Sequence, residues 1–404
     1  MSIKRKIASL VPRELTLLIK YYYHKFYRFS HHKKMIETSF DLDVRAKKKC
    51  HTFFGYYDIS PFNAQSDEMV YMRIPQQLGE AQILLSSIGD HSEKLLAKTH
   101  AWNWQQGSRL RWMPNNNREI VFNDFIDGEY IARIHNIDSD KERRINAALY
   151  DISHDGQWGL SIDFERLQTK RPGYGYLCRP YIENGDLLPE EGIDLVNLEN
   201  QKKERVITYK QIAELPGCES SDFRNNYLNH LSFSPSGQKF LFFWLTEQSG
   251  PHLASLIVYD IKEKRFDVLE TQERVSHYVW EDEDHIICTA YYGVQDCHYY
   301  RYTISKNSNE LLCPDLLNED GHPSIIKDNL IITDTYPDLK GFQRIYLVDL
   351  ANNTKKELVS IYSDCRVEGE RRTDLHPRLN SSKTFLCFDS NESKYRSMRL
   401  FSLG

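Results

Sequence analysis

The sequence predicts an all-β chain folded as a seven-bladed β-propeller, with a short basic helical segment at its N-terminus. Three observations carry that prediction. A phrase made of a polar or aromatic residue, two further residues, a hydrophobe, a turn and a second apolar strand recurs seven times. Most copies lie about 40–55 residues apart, the span of a four-stranded blade rather than of a helical solenoid repeat. At 404 residues the chain also exceeds ordinary single-core size, a limit that repeat architectures escape because each unit packs on its neighbours.

Taken in order, the early copies are Tyr56…Ile59-Ser-Pro61, Arg109…Trp112-Met-Pro114 and Leu149…Ile152-Ser-His-Asp-Gly156. The clearest is His230-Leu-Ser-Phe233-Ser-Pro-Ser-Gly237, followed by the apolar run 240–245. His277…Trp280, His322-Pro-Ser-Ile325 and His376-Pro-Arg-Leu379 complete the seven. The interval between the third and fourth copies is nearly doubled. The preferred reading is an insertion in blade three, about residues 164–191 and loop-like over 166–189. Outer strands are then expected at 193–198 and 205–208, with a short helix at 209–215. Eight blades, one of them degenerate, is the alternative. The last copy ends after three strands, so residues 40–45 are expected to supply the fourth and close the ring, leaving no free edges.

Residues 1–39 fall outside the repeat, and 40–404 form the propeller. The first segment mixes Leu10, Val11, Leu15, Leu18, Ile19, Tyr22 and Phe26 with Lys20, Lys25, Arg28, Lys33 and Lys34. A basic helix carrying aromatics suits the surface of an anionic membrane; a helix capping the propeller or docking another subunit is the plainer reading. No signal peptide is expected, because Lys4, Arg5 and Lys6 precede a short apolar stretch broken by Pro12, Arg13 and Glu14. No apolar run is long enough to span a bilayer. The expected location is the cytoplasm, with peripheral attachment to the inner face of the membrane as an extension. A net charge of −5 argues against nucleic acid as a partner. The eight cysteines include no CxxC pair, which argues against zinc ribbons and thioredoxin-like chemistry.

Propeller geometry gathers these residues at one face. The innermost strand of each blade starts there, and the second strand returns there. His230, His277, His322 and His376 occupy equivalent first positions, with Tyr56 and Arg109 at the matching places. Second-strand ends add Asn123, Asp124, Asp163, Asp334, Tyr336, Asp338 and Asp389; the insertion adds Arg171-Pro-Gly-Tyr174-Gly-Tyr176. Tyr57, Asp58 and Gln106 bring further aromatic, acid and amide groups. Aromatic faces beside such polar groups suit a saccharide. Each has a plainer reading too. One histidine at a strand start often links neighbouring blades, the 334–338 run makes a self-bonded turn, and the Gly-rich loop is a simple connection. Four imidazoles in register are more than blade linkage needs. Asp374, two residues before His376 and on the same side of an extended chain, could orient that ring. No P-loop, Rossmann fingerprint, GxSxG elbow or HExxH helix is present, so no nucleotide cofactor is expected.

The turns Phe233-Ser-Pro-Ser-Gly237 and Ile152-Ser-His-Asp-Gly156 resemble the TolB-type, WD40-like propeller repeat, over about residues 50–404. Blade layout and a mouth lined by His and Arg resemble oligogalacturonate-lyase-like propellers. That resemblance implies β-elimination on an acidic poly- or oligosaccharide, with a divalent metal (Mn, Ca or Zn) held by His277, His322 and His376. It implies Arg109 or Arg171 as the neutraliser of the uronate charge, and His230 or Tyr174 as the base. The C5 proton becomes acidic only when the adjacent carboxylate is masked. Saccharide contacts would fall to Tyr56, Tyr57, Asp58, Gln106, Asn123, Asp124, Tyr176, Asp334, Tyr336, Asp338, Asp374 and Arg378. The phrases Gly55-Tyr-Tyr-Asp58, Arg171-Pro-Gly-Tyr-Gly-Tyr176 and Asp374-Leu-His-Pro-Arg378 resemble those of bacterial propellers of surface-polysaccharide assembly. Two alternatives stay open. One is a transferase or hydrolase pairing carboxylates among Asp58, Asp334 and Asp389; the other is a non-catalytic scaffold for protein partners.

Overall fold

In the computed structural model, residues 12–403 are described apart from 78, 184, 186–187, 249–251, 273 and 293–296. Seven antiparallel sheets surround a central channel. They span residues 50–99, 111–145, 151–208, 226–269, 275–312, 324–362 and 378–402, in chain order around the ring. Blade three carries the insertion between Trp158–Ser161 and Gly192–Asn197, so the ring holds seven blades and not eight. The recurrent turns form as their chemistry dictates. Gly156 and Gly237 adopt φ of +71° and +75°, and their amides donate to Ser153 O and Ser234 O at 2.8 and 2.9 Å.

Closure comes from the N-terminal side. Strand Asp43–Arg45 pairs antiparallel with Ser397–Ser402, supplying the missing outer strand of blade seven. A second strand, Ile36–Thr38, adds a fifth strand to blade six on Thr354–Tyr362. The segment before residue 40 therefore already joins the ring. The core lies between blades: Ile332 and Val359 of blade six pack with Leu386 and Phe401 of blade seven, all at most 2% exposed. Each such side chain contributes about 1.5–3 kcal/mol of burial, so the ring is held by interfaces that every blade shares.

Three α-helices occur among the described residues. Helix α1 (Arg13–Ser30) has acidic Glu14 in its first turn and basic Arg28 in its last, both complementing the helix dipole. The more N-terminal residues Lys4, Arg5, Lys6, Leu10 and Val11 lie outside the described residues. Helix α2 (Phe164–Lys170) replaces the expected start of the loop; Asp163 caps it by accepting from the amides of Glu165 and Arg166. Helix α3 (Tyr209–Ala213) opens with a Thr208–Gln211 capping box. No helix among the described residues is long and apolar enough to cross a membrane.

Candidate active site

The four histidines converge on one phenol ring. Tyr56 lies 5.2, 6.4, 6.0 and 4.7 Å, centroid to centroid, from His230, His277, His322 and His376. His277 and His322 are 4.0 Å apart, and His322 and His376 4.4 Å. Local backbone irregularity aims them inward. The innermost strands of blades four and five shift register at the histidine, between Asn229 and Ser232 and between Val275 and Tyr278. His230 and His376 adopt φ of +56° and +48°, a costly conformation for a non-glycine residue that re-aims the side chain. Side chains capture the backbone amides. His230 N donates to Tyr150 Oη (2.9 Å), His277 N to Thr289 Oγ1 (3.0 Å), and His322 N and His376 N to the two oxygens of Asp334 (2.8 and 3.0 Å). Gly321 lies where a Cβ would meet the Asp334 carbonyl, so only glycine lets His322 approach.

Each ring nitrogen on the far side is then accounted for. His322 Nδ1 bonds Asp334 at 2.8 Å, and His376 Nδ1 bonds the Gly55 carbonyl at 2.9 Å. Their Nε2 atoms, and the Tyr56 hydroxyl, are buried without a hydrogen-bond partner. Asp374 completes a group with His322 and His376 whose donor atoms all lie within 4.8 Å of one another. Two imidazoles fixed through Nδ1, with Nε2 free and a carboxylate beside them, suit a divalent cation. This corrects two expectations. The Gly55 carbonyl, not Asp374, orients the His376 ring, and Asp334 orients the His322 ring. His277 is outside the three-residue group, and its Nδ1 is bonded to Asp320 at 3.0 Å.

Burial pushes His230 and His376 well below the ordinary imidazole pKa, and neighbouring His277 and His322 respectively push the same way. His277 is also lowered, by burial and then by His322. Burial opposes charge on His322 as well, yet the Asp334 carboxylate lifts its pKa above the usual value.

Above this cluster a 290 Å³ cavity is lined by Arg171, Tyr174, His230, His277, Asp320 and Tyr336, among others. The insertion loop reaches over the channel. A Cβ at Gly175 would meet backbone atoms of Phe164 and Gln168, so the loop rests directly on α2. Tyr174 Oη accepts from Arg372 Nη2 at 2.8 Å, and Arg171 lies 5.3 Å from the same ring. Arg372 also bonds Asp374 at 3.1 Å. A larger cavity of 550 Å³ opens on the other side, lined by Tyr57, Asp58, Arg111, Trp112, Trp280 and Arg378, among others. Of the four histidines, His230 and His277 line the smaller one.

Several expected ligand contacts are structural instead. Arg109 is 3% exposed, paired with Asp58 at 2.8 Å and bonded to the Tyr150 carbonyl at 2.7 Å, so it is not free to neutralise a ligand. Asn123 bonds both the amide and the carbonyl of Leu149 (2.8 Å each), and Asp124 binds Arg133 (2.8 Å) and the His100 amide (3.0 Å). Tyr176 stacks on Phe164 at 4.7 Å beneath the loop. Gln106 donates to Tyr150 Oη and Asn229. Asp338 is the self-bonded turn, accepting from Lys340 N, Phe342 N and Arg344. Arg378 is locked to Asp389 at 3.0 Å and to Gly55 O at 2.8 Å. Tyr57 donates to Tyr278 O at 2.7 Å and contacts His322 at 5.0 Å, forming the floor. With Asp58, Asp334 and Asp389 all bound to buried partners, the paired-carboxylate alternative loses its residues. Asp320 and Arg372 were not anticipated. Asp320-Gly-His322 repeats the Asp374-Leu-His376 spacing, a signal present in the sequence.

No protein-family model matches the chain, and no curated protein matches its sequence. Among solved structures it is similar to an oligogalacturonate lyase in complex with manganese, at 12% identity and a TM-score of 0.65, over 91% of this chain and 94% of that one. It is similar to an oligogalacturonate lyase from Vibrio parahaemolyticus at 12% identity and a TM-score of 0.63, over 91% and 98% of the two chains. TolB from Acinetobacter baumannii matches over 78% of this chain and 63% of that one, at 10% identity and a TM-score of 0.42. At these identities the likeness to the lyases is one of fold.

Proposed function

We propose that the chain is a lyase that cleaves an acidic saccharide by β-elimination in the cavity above the histidine cluster. The observation that carries this reading is the pair of buried, unpartnered Nε2 atoms of His322 and His376 beside Asp374. A divalent cation fits these three residues and, when bound, would polarise a uronate carboxylate as a Lewis acid. The fold shared with a manganese-bound oligogalacturonate lyase supports the same choice.

The remaining roles follow from the chain's own residues. Arg171 and Arg372 flank Tyr174 at the cavity and would hold the substrate carboxylate by charge-assisted hydrogen bonds. His230, kept neutral by burial, would accept the C5 proton on Nε2 in place of the hydrogen bond that atom now takes from Asn229 Nδ2. The released electron pair forms the C4=C5 double bond, the C4–O glycosidic bond breaks, and the leaving oxygen takes the Tyr174 proton. Arg372 then stabilises the phenolate, and the proton on His230 returns through solvent.

The test is ultraviolet absorbance of the unsaturated product, with manganese-loaded protein and oligogalacturonates. Product formation that falls about 10²–10⁴-fold in His230→Ala supports the reading. A protein that binds manganese at this site yet releases no unsaturated product from any uronate oligomer would sink it.

A further inference from the structure

Helix α1 has two opposed faces, and only one is covered by the described residues. Leu17, Tyr21, His24 and Arg28, at helical spacing, face the propeller. His24 is fully buried against Tyr362 (5.8 Å), Arg28 lies 4.0 Å from the same ring, and Arg366 lies 3.9 Å from Tyr21. Lys340 over Tyr27 (4.6 Å) and an Arg13–Glu368 pair (2.6 Å) complete the seat. The opposite face is Leu15, Leu18, Ile19, Tyr22, Phe26 and Phe29. Ile19, Phe26 and Phe29 are 58, 67 and 82% exposed. An amphipathic helix normally turns its apolar face inward; here six large apolar side chains point away from the fold.

Charge says what covers them. From Met1 to Lys34 the sequence holds nine Lys or Arg against one acid, Glu14, in a chain whose net charge is −5. Exposed Lys20 and Lys25 flank the apolar face, and exposed Lys34 follows its end. A second copy of the chain is a poor occupant. A two-fold contact is self-complementary, so it would set these lysines against each other. An anionic lipid surface takes both features at once: aromatic and aliphatic side chains at the headgroup boundary, lysines among the phosphates.

We infer that α1 seats the protein on an anionic lipid surface through this free face. The consequence for the site follows from where α1 rests. Its covered face packs on residues 338–341, just after Tyr336, and on 362–368, just before Arg372 and Asp374. Tyr336 lines the cavity, Arg372 bonds the cavity-lining Tyr174, and Asp374 stands with His322 and His376. The seat of α1 therefore adjoins, along the chain, residues of the candidate site.

The experiment is co-sedimentation of the full chain with phosphatidylcholine vesicles, with and without about 30 mol % phosphatidylglycerol. Wild type is expected to bind the anionic vesicles about tenfold more tightly than the neutral ones, and to lose that margin at high salt. Ile19→Ser/Phe26→Ser should weaken binding about 50-fold with unchanged thermal unfolding, because both side chains are exposed. Absence of wild-type binding to the anionic vesicles overturns the inference. So does a wild-type dimer, by sedimentation velocity, that the double variant converts to monomer. The measurement contains no saccharide, so its outcome is independent of the lyase reading.

Discussion

Replacing Asp334 by Asn changes one oxygen at the point where the site depends most on a single residue. The Asp334 carboxylate accepts three hydrogen bonds, from His322 N, His322 Nδ1 and His376 N, at 2.8–3.0 Å, and is 2% exposed. Asparagine keeps one accepting oxygen and turns an NH2 group toward donors. At least one buried N–H loses its acceptor, and the His322 ring loses its counter-charge. Hydrogen bonds to a charged group contribute about 1.5–3 kcal/mol each, so Asp334→Asn should cost about 3 kcal/mol in urea unfolding. Freed from its partner, the His322 ring also loses the tautomer that leaves Nε2 available. Losing such an outer partner lowers metal affinity about 10–100-fold, readable by calorimetric titration of manganese. Asp338→Asn is the internal control: that carboxylate lies in the same loop, but bonds only its own turn and Arg344. It should shift stability by no more than about 1 kcal/mol and leave manganese affinity unchanged. Equal manganese affinity in wild type and Asp334→Asn would refute the orienting role, and no wild-type affinity would refute the metal site itself.

Other outcomes follow from the same geometry. Asp389→Ala should destabilise the chain by about 3–5 kcal/mol because it strands the buried Arg378, whereas Arg378→Met/Asp389→Leu should recover most of that loss in urea unfolding. Gly175→Ala forces a Cβ into the backbone of α2; a loss of about 2 kcal/mol, with weaker oligouronate binding as Tyr174 moves, is expected by fluorescence titration. Glu191 has its pKa pushed up to about 7 from 4.5, by burial and then by Asp163. The native state therefore holds the extra proton between those values, and stability falls as pH rises through that window. The group is partly solvated, so the discounted penalty is about 1–2 kcal/mol; Glu191→Gln should gain that much at about pH 8 and nothing at about pH 4.

The ring was legible because its signals are local and repeated. The Ser-containing turns ending in Gly156 and Gly237 need glycine at positive φ, and the apolar runs after them alternate into shared interfaces. Closure by residues 43–45 could be inferred by counting strands. Strand Ile36–Thr38 could not: three half-buried residues show no alternation, and it forms only because blade six leaves an edge for it. Helix α2 was missed for the same reason of length, since seven residues give barely two turns of periodicity. Its cue was chemical, in Asp163 followed by Glu165.

The site divides differently, and the backbone explains how. Equivalent positions in successive blades could be read from the repeat, so the four histidines and Tyr56 were legible together. Which carboxylate serves which ring depends on backbone departures from regular pairing. Once His230 and His277 bulge out of their ladders, their amides need new acceptors. Tyr150 Oη supplies one to His230 from elsewhere in the ring and Thr289 Oγ1 one to His277 from the adjacent strand, while Asp334 does the same for His322 and His376. Asp334 is drawn to two amides and so becomes the orienting group of His322, while Asp374, paired with Arg372, stands beside His322 and His376. The same logic separates the arginines. Arg109 sits at a histidine-equivalent position with φ of +52°, but Asp58 lies within reach and binds it, whereas Arg171, on a loop above the channel, keeps its guanidinium at the cavity. Position in the repeat brings a residue to the channel; the acceptor it meets there decides whether it is left free for a ligand.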